Sequence, residues 1–343
     1  MPQIKSDTRL TELTQWANQK IGSERPLVSL GGDAGFRRYF RFAPPLDLLG
    51  VDAPPTTEDT AQFLRVAELL QQHKVKVPKI NAADVQQGFL LVEDLGDDLV
   101  YRQINNQNAD LIYQQAMDLI SGMQTIASRP DWLPVYDQTF LMQEMHLMSE
   151  WFIEKLLRYT LSTTEKKLIN TSLQKLSISA AEQPQGFVHR DFHSRNLLIT
   201  RDSLATIDFQ GALWGPITYD LASLLRDCYL HWPQEKIIRW AMQYHKKIEP
   251  HYPNLSSIEF LKCFDWMGLQ RHIKVLGIFA RLHLRDNKQH YLQDLPLVIR
   301  YTLEICDQYA ELQLLSEWFR EKLIPLAAKK SWYSDYQTAG DRS

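Results

Sequence analysis

The sequence predicts an α+β fold of two lobes, in which a small antiparallel sheet precedes a larger and mainly helical part. The chain has 343 residues, which is more than one hydrophobic core usually serves, so two packed units are expected. Short strand-like runs fall in the first 95 residues, and apolar residues after Gly96 recur mostly at helical spacing. We therefore expect an N-lobe over 1–95 and a C-lobe over 96–343.

The N-lobe is predicted to combine two helices with short strands. Apolar side chains recur at helical spacing over residues 7–21 and again over 57–73. Two runs, Leu27–Leu30 and Phe36–Phe42, have the composition of strands. Between them lies a glycine-rich hairpin whose backbone can approach a ligand closely, although such a hairpin alone is more often a plain turn. It consists of Gly31, Gly32, Asp33, Ala34 and Gly35.

The C-lobe is predicted to be helical almost throughout. Helices are expected over about 107–128, 140–160 and 163–181. Ser162 and Glu165 have the spacing of a capping box, which would start the third of these helices. The polar tail after about Lys329 is expected to be loose.

The composition is that of a globular protein, and it limits the classes of partner. Hydrophobic residues make up 44% and charged residues 23% of the chain, and the net charge is −3. This balance argues against nucleic acid or an anionic membrane as the main partner. Three cysteines without metal-binding spacing indicate reduced thiols. No run approaches the roughly 18 apolar residues of a membrane span, so we expect a cytoplasmic protein. We favour a monomer.

One stretch, residues 187–210, carries side chains that phosphoryl transfer requires. Asp191 and Asn196 stand in the pattern H-R-D-x-x-x-x-N, and Asp208 follows a second apolar run. A strand before the loop and a hairpin over 196–207 would bring the three side chains to one end of a small sheet.

These three residues suit a magnesium-dependent transfer of phosphate. Mg²⁺ prefers oxygen ligands, so Asn196 and Asp208 would hold it together with nucleotide phosphates. Asp191 would act as the catalytic base, accepting a hydrogen bond from an acceptor hydroxyl and holding it in line with the γ-phosphorus. A single aspartate after a strand is usually a turn or cap residue, but the joint spacing favours the catalytic interpretation. ATP and Mg²⁺ are the expected cofactors.

A resemblance to the protein-kinase-like fold rests on HRDFHSRN and IDFQ, which resemble its catalytic and metal-binding loops. Within that fold, the segment GPITYDLASLLRDCY at 215–229 is similar to a motif of the aminoglycoside phosphotransferase family. These segments also resemble one branch of that family, the anomeric kinases of N-acetylmuramate and N-acetylglucosamine in cell-wall recycling. The resemblance to this branch extends to GDAGFRRYFRF (32–42), DAPP (52–55) and QRHIKVLGIFARL (270–282). The resemblance covers about residues 10–300.

The resemblance implies a phosphotransferase that uses ATP and makes an amino-sugar 1-phosphate, with an alcohol group as acceptor. In such a fold His189 and Arg190 brace the catalytic loop, and Asp220 accepts hydrogen bonds from its backbone. The hinge that contacts adenine through backbone groups would be Glu93, Asp94 and Leu95.

The sequence departs from the protein-kinase-like pattern at one position. Kinases of this fold place a lysine on the third strand to pair with the α- and β-phosphates, but residues 48–53 contain none. Arg37 or Arg38 would substitute, since a guanidinium binds phosphate bidentately. Otherwise the backbone of the glycine hairpin and the metal alone hold the phosphates. Neither Glu58 nor Glu68 is assigned as the partner of such a cation.

Candidates for contact with the sugar fall into several groups. Trp214 and Tyr219 flank a rigid turn and either stack on the sugar or belong to the core. Arg226 and Asp227 form either a structural ion pair or a polar hook for hydroxyl groups. Two candidates lie in the catalytic loop: His193 and Arg195. A stripe of cations, which is either a solvated helix face or the lining of the acceptor site, comprises Arg271, Lys274, Arg281 and Arg285.

Three alternatives remain open from the sequence. An aminoglycoside kinase acts on polycations and would favour an acidic acceptor lobe, whereas residues 209–300 contain 12 Lys and Arg against 8 Asp and Glu. Another small-molecule kinase, such as a choline-type enzyme, is the second alternative. The third is a nucleotide-binding pseudokinase, which the missing lysine favours and the intact Asp191, Asn196 and Asp208 oppose.

Overall fold

The structure is a computed structural model that describes residues 7–31 and 36–341. The chain divides into two compact units. Unit 1 comprises Met1–Leu99 and Leu198–Gln210, and unit 2 comprises Val100–Leu197 and Gly211–Ser343. The predicted boundary near residue 95 lies close to the end of the first segment. The sequence did not predict that 198–210 would return to unit 1.

Unit 1 contains a five-stranded antiparallel sheet and two helices. The strands are β1 (Leu27–Ser29), β2 (Arg38–Phe42), β3 (Leu48–Asp52), β4 (Ile80–Asp84) and β5 (Phe89–Glu93), and the helices are α1 (Thr8–Ile21) and α2 (Thr60–Gln72). The strand order is β1-β2-β3-β5-β4. Every adjacent pair is antiparallel, as the alternation of strand and turn residues predicts.

Helix α1 covers one face of this sheet. Leu13 and Trp16 of α1 are buried in one cluster with Phe40, Phe42 and Phe89 of the strands. Phe40 and Phe42 share a face because side chains of a strand alternate with a period of two. The residues between them therefore point to the opposite face.

Unit 2 is mainly helical. Its helices are α3 (Val100–Gln103), α4 (Ala109–Met123), α5 (Gln138–Leu147), α6 (Thr163–Glu182), α7 (Tyr219–Leu225), α8 (Gln234–Ile248), α9 (Ser257–Asp286), α10 (Leu295–Cys306), α11 (Gln313–Trp318) and α12 (Ile324–Ala327). A π-helix, Met148–Leu156, continues α5. The predicted capping box of Ser162 and Glu165 is confirmed at the start of α6. No helix in the described ranges is long and apolar enough to cross a membrane.

Four short strands surround the catalytic stretch: β6 (Gln185–Val188), β7 (Leu197–Ile199), β8 (Leu204–Thr206) and β9 (Leu213–Pro216). Strand β6 pairs with β9, whereas β7 and β8 form a separate hairpin. The expectation of one small sheet was therefore wrong. The residues after β8 supply the partner of β6, and composition alone does not reveal such pairing.

The tail after Lys329 is tied to unit 2 by several contacts, although we expected it to be loose. Trp332, Tyr333 and Tyr336 pack against the hydrophobic core. The Arg300 guanidinium also donates to Asp341 at 2.7 Å. The aromatic residues of this otherwise polar tail explain the difference, because they bury apolar surface.

Candidate active site

The catalytic loop follows β6 in unit 2, and the carboxylate of Asp220 holds its start. Asp220 accepts hydrogen bonds from the backbone N–H groups of His189 (2.7 Å) and Arg190 (3.0 Å). This is the contact that the resemblance implied. Burial raises the pKa of Asp220 to about 7, although the two N–H groups act in the opposite direction. Arg190 has φ 79°, so the loop reverses through a left-handed residue.

Asp191 follows directly and is surrounded by positive charge. Burial would raise the pKa of its carboxyl group, but Lys274 and Arg190 outweigh burial and hold the pKa below its ordinary value. Asp191 is therefore ionised at neutral pH and can accept a hydrogen bond from a hydroxyl group. Asn196 donates from Nδ2 to the Asp191 carbonyl oxygen at 2.9 Å. Its nitrogen end thus orders the loop, and its oxygen end has the chemistry that Mg²⁺ prefers.

Glu144 of α5 joins the loop to α9, and sequence reasoning missed it. Its buried carboxylate pairs with Arg190, with Lys274 at 3.2 Å and with the Tyr136 hydroxyl. Burial opposes ionisation, yet the two cations lower the pKa of Glu144. An acidic residue beside the buried Leu141 and Met145 in α5 was the available signal, since charge on an apolar helix face needs a partner.

The cation stripe of α9 divides into a buried and an exposed part. Arg271 and Lys274 are 4% and 5% exposed, whereas Arg285 is exposed and pairs with Asp286 at 2.8 Å. The interpretation of the whole stripe as a solvated face was therefore wrong for its first two members. Lys274 donates to the Tyr219 hydroxyl at 3.0 Å.

Tyr219 is 0% exposed, which contradicts stacking on a sugar in this structure. Its ring packs edge-on against Tyr136, with centroids 5.5 Å apart, and Arg271 lies over it at 5.3 Å. Trp214 lies in β9, where it is paired with Phe187 of β6. The core interpretation therefore describes Tyr219.

The predicted ion pair of Arg226 and Asp227 does not form. Arg226 pairs instead with Asp265 of α9, Nη2–Oδ1 2.5 Å. Asp227 accepts from the backbone N–H groups of Ser194 (2.9 Å) and Tyr229 (3.0 Å). Both side chains are almost fully buried. Both side chains thus bind protein groups, although Nε and Nη1 of Arg226 make no hydrogen bond with any residue in the described ranges.

The two candidates of the catalytic loop contact aromatic side chains. Arg195 lies between Tyr101, at 4.6 Å, and Tyr229, at 3.5 Å. His193 meets Tyr229 edge-on, with centroids 5.3 Å apart. Both side chains are partly buried. These contacts order the loop around Asp191.

Asp208 belongs to unit 1, in the segment that returns after β8. Its side chain is exposed, and Gln210 donates to its Oδ1 at 2.7 Å. The backbone of Asp208 has φ 64°, a left-handed conformation that most residues avoid and that concentrates at functional sites. Phe209 anchors this turn by stacking on Phe63 of α2, with centroids 4.8 Å apart. An exposed, oriented carboxylate of this kind suits a metal ligand.

Three arginines in and just before β2 of unit 1 have different partners. Arg37 pairs with Glu58 at 3.0 Å, whereas Arg38 binds Asp7 and Asp52. A third arginine, Arg41, pairs with Asp94 and Asp97. The glycine hairpin itself can be assessed only at Gly31, whose φ is 83°. The other residues of that prediction lie outside the described part of the chain: Gly32, Asp33, Ala34 and Gly35.

The backbone of the predicted hinge is already partly used by the protein. Glu93 donates its N–H to the Lys79 carbonyl oxygen at 2.8 Å, and Asp94 donates to Asp47 at 3.0 Å. These two N–H groups are therefore engaged in unit 1. Leu95 follows them directly, before the left-handed Gly96.

Comparison with known proteins places this chain in a family. The model of the "Phosphotransferase enzyme family" (APH) matches residues 27–258, which is more than half of the chain. The chain belongs to this family. Two relatives are named "N-acetylmuramate/N-acetylglucosamine kinase". The relative from Pseudomonas aeruginosa is 38% identical over 92% of this chain and 97% of its own length. The relative from Pseudomonas putida is 36% identical over the same shares.

The fold agrees with this family assignment. A solved structure of an ADP-bound aminoglycoside phosphotransferase matches with a TM-score of 0.57 and 14% identity, covering 86% of this chain and 98% of that one. At that identity the likeness concerns the fold alone. The predicted α+β, two-lobed, protein-kinase-like fold is confirmed.

Proposed function

We propose that this phosphotransferase moves the γ-phosphate of ATP to the anomeric hydroxyl of N-acetylmuramate or N-acetylglucosamine. The observation that carries the proposal is the likeness, over 92% of the chain, to two kinases named for both sugars. An ionised Asp191 beside Arg190 and Lys274 supports it, because an ionised carboxylate can receive the hydroxyl proton. The product would be the sugar 1-phosphate.

The reaction assigns a task to each motif residue. The anomeric oxygen forms a bond to the γ-phosphorus, its proton passes to Asp191, and the bond between the γ-phosphorus and the bridging oxygen breaks to release ADP. Asn196 and Asp208 would hold Mg²⁺, which would neutralise charge on the phosphates. The lowered pKa of Asp191 makes it a weak base. Orientation of the relatively acidic anomeric hydroxyl should therefore matter more than base strength.

A polycationic acceptor fits this proposal poorly. Arg271 and Lys274 are buried in unit 2 and interact electrostatically with Asp191. Two cations close to the catalytic carboxylate would repel an aminoglycoside, whereas a neutral or carboxylated sugar would meet no such penalty.

The deciding experiment is an acceptor screen with purified protein. ATP consumption is measured with N-acetylmuramate, N-acetylglucosamine, kanamycin, choline and no acceptor, and ³¹P NMR identifies the phosphorylated position. We expect turnover with one or both amino sugars and a phosphate at C1. Turnover with kanamycin or choline alone would replace the proposal with that activity. ATP binding without any turnover would favour a pseudokinase.

Arg271 is the proposed receptor for the lactyl carboxylate that distinguishes N-acetylmuramate from N-acetylglucosamine. Lys274 already has Glu144 and Tyr219 as partners. By contrast, Nε and Nη1 of Arg271 make no hydrogen bond with any residue in the described ranges. Buried charged donors without acceptors are costly, so an anionic group of the substrate would satisfy them.

The corresponding test compares Arg271→Met with Arg285→Met, an exposed arginine of the same helix. Arg271→Met should lower kcat/KM for N-acetylmuramate by an amount that corresponds to about 1.5 to 3 kcal/mol of lost transition-state stabilisation. It should leave kcat/KM for N-acetylglucosamine nearly unaffected. Arg285→Met should affect neither sugar. Equal losses on both sugars would assign Arg271 a structural role instead.

A further inference from the structure

Arg37 occupies an unusual position in unit 1, just before β2. The residue is only 6% exposed. Its guanidinium pairs with Glu58, Nη2–Oε2 3.0 Å, and lies over the ring of Phe63, 4.6 Å from the centroid. Glu58 and Phe63 both belong to the start of α2 and the turn before it. One element therefore holds the cation from two sides.

The remaining donors of Arg37 lack acceptors among the residues that the structure describes. Nε and Nη1 make no hydrogen bond with any residue that the structure describes. Buried charged donors are almost always satisfied, because leaving them without an acceptor forfeits their hydration. A guanidinium presents a planar fork of N–H groups that matches two oxygens of a phosphate. An oxyanion would therefore satisfy these donors.

The same helix also holds the segment that carries Asp208. Phe63 stacks on Phe209, with centroids 4.8 Å apart, so the Phe63 ring contacts both the guanidinium and the Phe209 ring. Gln62 donates to the Gln210 carbonyl oxygen at 3.0 Å. These contacts tie both Arg37 and the segment that carries Asp208 to the N-terminal turn of α2.

Tyr39 of β2 is affected by both charged groups. Burial raises the pKa of its phenol, Arg37 opposes this shift, and the charge of Asp208 adds to it. Both charged groups therefore lie within electrostatic range of one hydroxyl. A cation and a carboxylate in one neighbourhood suit a ligand that carries both phosphate and metal.

The neighbouring Arg38 is engaged differently. Its Nε donates to Asp52 Oδ2 at 3.0 Å and its Nη2 to the same oxygen at 2.5 Å, while the other side of the guanidinium binds Asp7. Arg9 also donates to Asp52, at 2.8 Å. Arg38 is thus a member of an ion-pair network that fastens α1 to the sheet.

We propose that Arg37, held by Glu58, binds phosphate oxygens of the nucleotide in place of the missing third-strand lysine, and that Arg38 is structural. The pair of Arg37 and Glu58 then performs the task of a cation and its carboxylate partner, with the cation supplied by the residue just before β2 instead of by β3. The part of this inference that concerns turnover rests on the proposed kinase function. The part that concerns nucleotide affinity does not.

Calorimetric titration of the full chain tests the inference with ATP, ADP and adenosine as ligands. Arg37→Met should weaken ATP and ADP binding by about tenfold or more and change adenosine binding by less than about twofold. Arg38→Met is the matched control. It should lower the melting temperature, because Arg38 loses its ion pairs with Asp7 and Asp52. The affinity for ATP should stay within about twofold of the wild type, because Arg9 still binds Asp52.

A second variant keeps the test valid if Arg37→Met does not fold. Glu58→Gln preserves the cation but removes its partner, and it should weaken ATP and ADP binding several-fold without affecting adenosine. Unchanged ATP affinity in the folded variant would overturn the proposal. So would an equal loss with adenosine, or a loss in Arg38→Met as large as in Arg37→Met.

Failure of this inference is distinguishable from failure of the proposed function. A wild type that binds ATP in an Arg37-dependent manner but phosphorylates no sugar would retain the phosphate role and refute the sugar kinase. A wild type that phosphorylates amino sugars while Arg37→Met binds ATP normally would support the sugar kinase and refute the phosphate role of Arg37.

Discussion

Asp191 is half-buried and carries a negative charge, and its neighbours explain how. Lys274 and Arg190 supply the positive charge that keeps its carboxyl group ionised. Glu144 in turn pairs with both cations. This arrangement keeps Asp191 ionised but makes it a weaker base, because every added cation lowers its pKa further.

Replacement of the proposed base tests this assignment. Asp191→Asn should lower kcat by about 100- to 10,000-fold, because the amide cannot receive the hydroxyl proton. The melting temperature and the affinity for ATP should stay near those of the wild type. A rate close to that of the wild type would contradict the role of Asp191.

The electrostatic neighbourhood of Asp191 predicts a pH effect. Asp191 must be ionised to act, so kcat/KM should fall when acid protonates it. Removing the charge in Lys274→Met raises the pKa of Asp191, and the acidic limb of the pH profile should move to higher pH. Lys262→Met provides the control, since this residue lies in the same helix but pairs with Glu311 at the surface. An acidic limb that stays in place in Lys274→Met would show that another group controls it.

Among the elements, α9 organises unit 2. It spans Ser257–Asp286 and is buried over most of its middle. A capping box of Ser256 and Glu259 starts it, and the left-handed Asn287 ends it. Gly277 lies against the junction of α5 and the π-helix, where an added Cβ would come within 2.5 Å of the Leu147 Cβ. Close approach of the two helices therefore requires glycine at this position.

A pair of substitutions in α9 tests that requirement. Gly277→Ala should destabilise the protein by about 1 to 3 kcal/mol, because a methyl group would displace backbone atoms of the facing helix. Gly268→Ala is the matched control, since its methyl group would meet the Arg226 side chain at 3.0 Å, which can shift more easily. Urea unfolding should show the larger loss for Gly277→Ala. Equal or reversed losses would mean that the junction adapts.

At the scale of the whole molecule, two distant chain segments build unit 1. Residues 198–210 join the first 99 residues, and Thr206 donates its N–H to the Lys76 carbonyl oxygen at 2.9 Å. The proposed metal ligand Asp208 is carried by this returning segment. Nucleotide and metal binding should consequently stabilise the folded chain as a whole.

Thermal unfolding with and without ligand checks this coupling. ATP with Mg²⁺ at about 100 times its Kd should raise the melting temperature by roughly 3–5 °C. Asp208→Ala should lose most of that increase, because it lacks a metal ligand. Asp202→Ala removes an exposed carboxylate from the same hairpin and should keep the full increase. A full increase in Asp208→Ala would exclude Asp208 as a ligand.

Features that depend on short spacings could be predicted from the sequence. The pattern of Asp191, Asn196 and Asp208 and the capping box at Ser162 follow from residues close together in the chain. The two-lobed fold follows from the chain length and from the change from strand-like to helical patterns near Gly96. Local conformation depends on neighbours within a few residues, so composition and periodicity predict it well.

The pairing of charged side chains could not be predicted from the sequence and is seen in the folded chain. Arg226 pairs with Asp265 rather than with its neighbour Asp227, and Arg37 pairs with Glu58. Glu144 lies more than 40 residues from Arg190 in the chain but binds its guanidinium. Ion pairs depend on distance in space and on burial, since low-dielectric surroundings make an unpaired charge costly. Sequence spacing carries no information about either quantity once the chain turns back on itself.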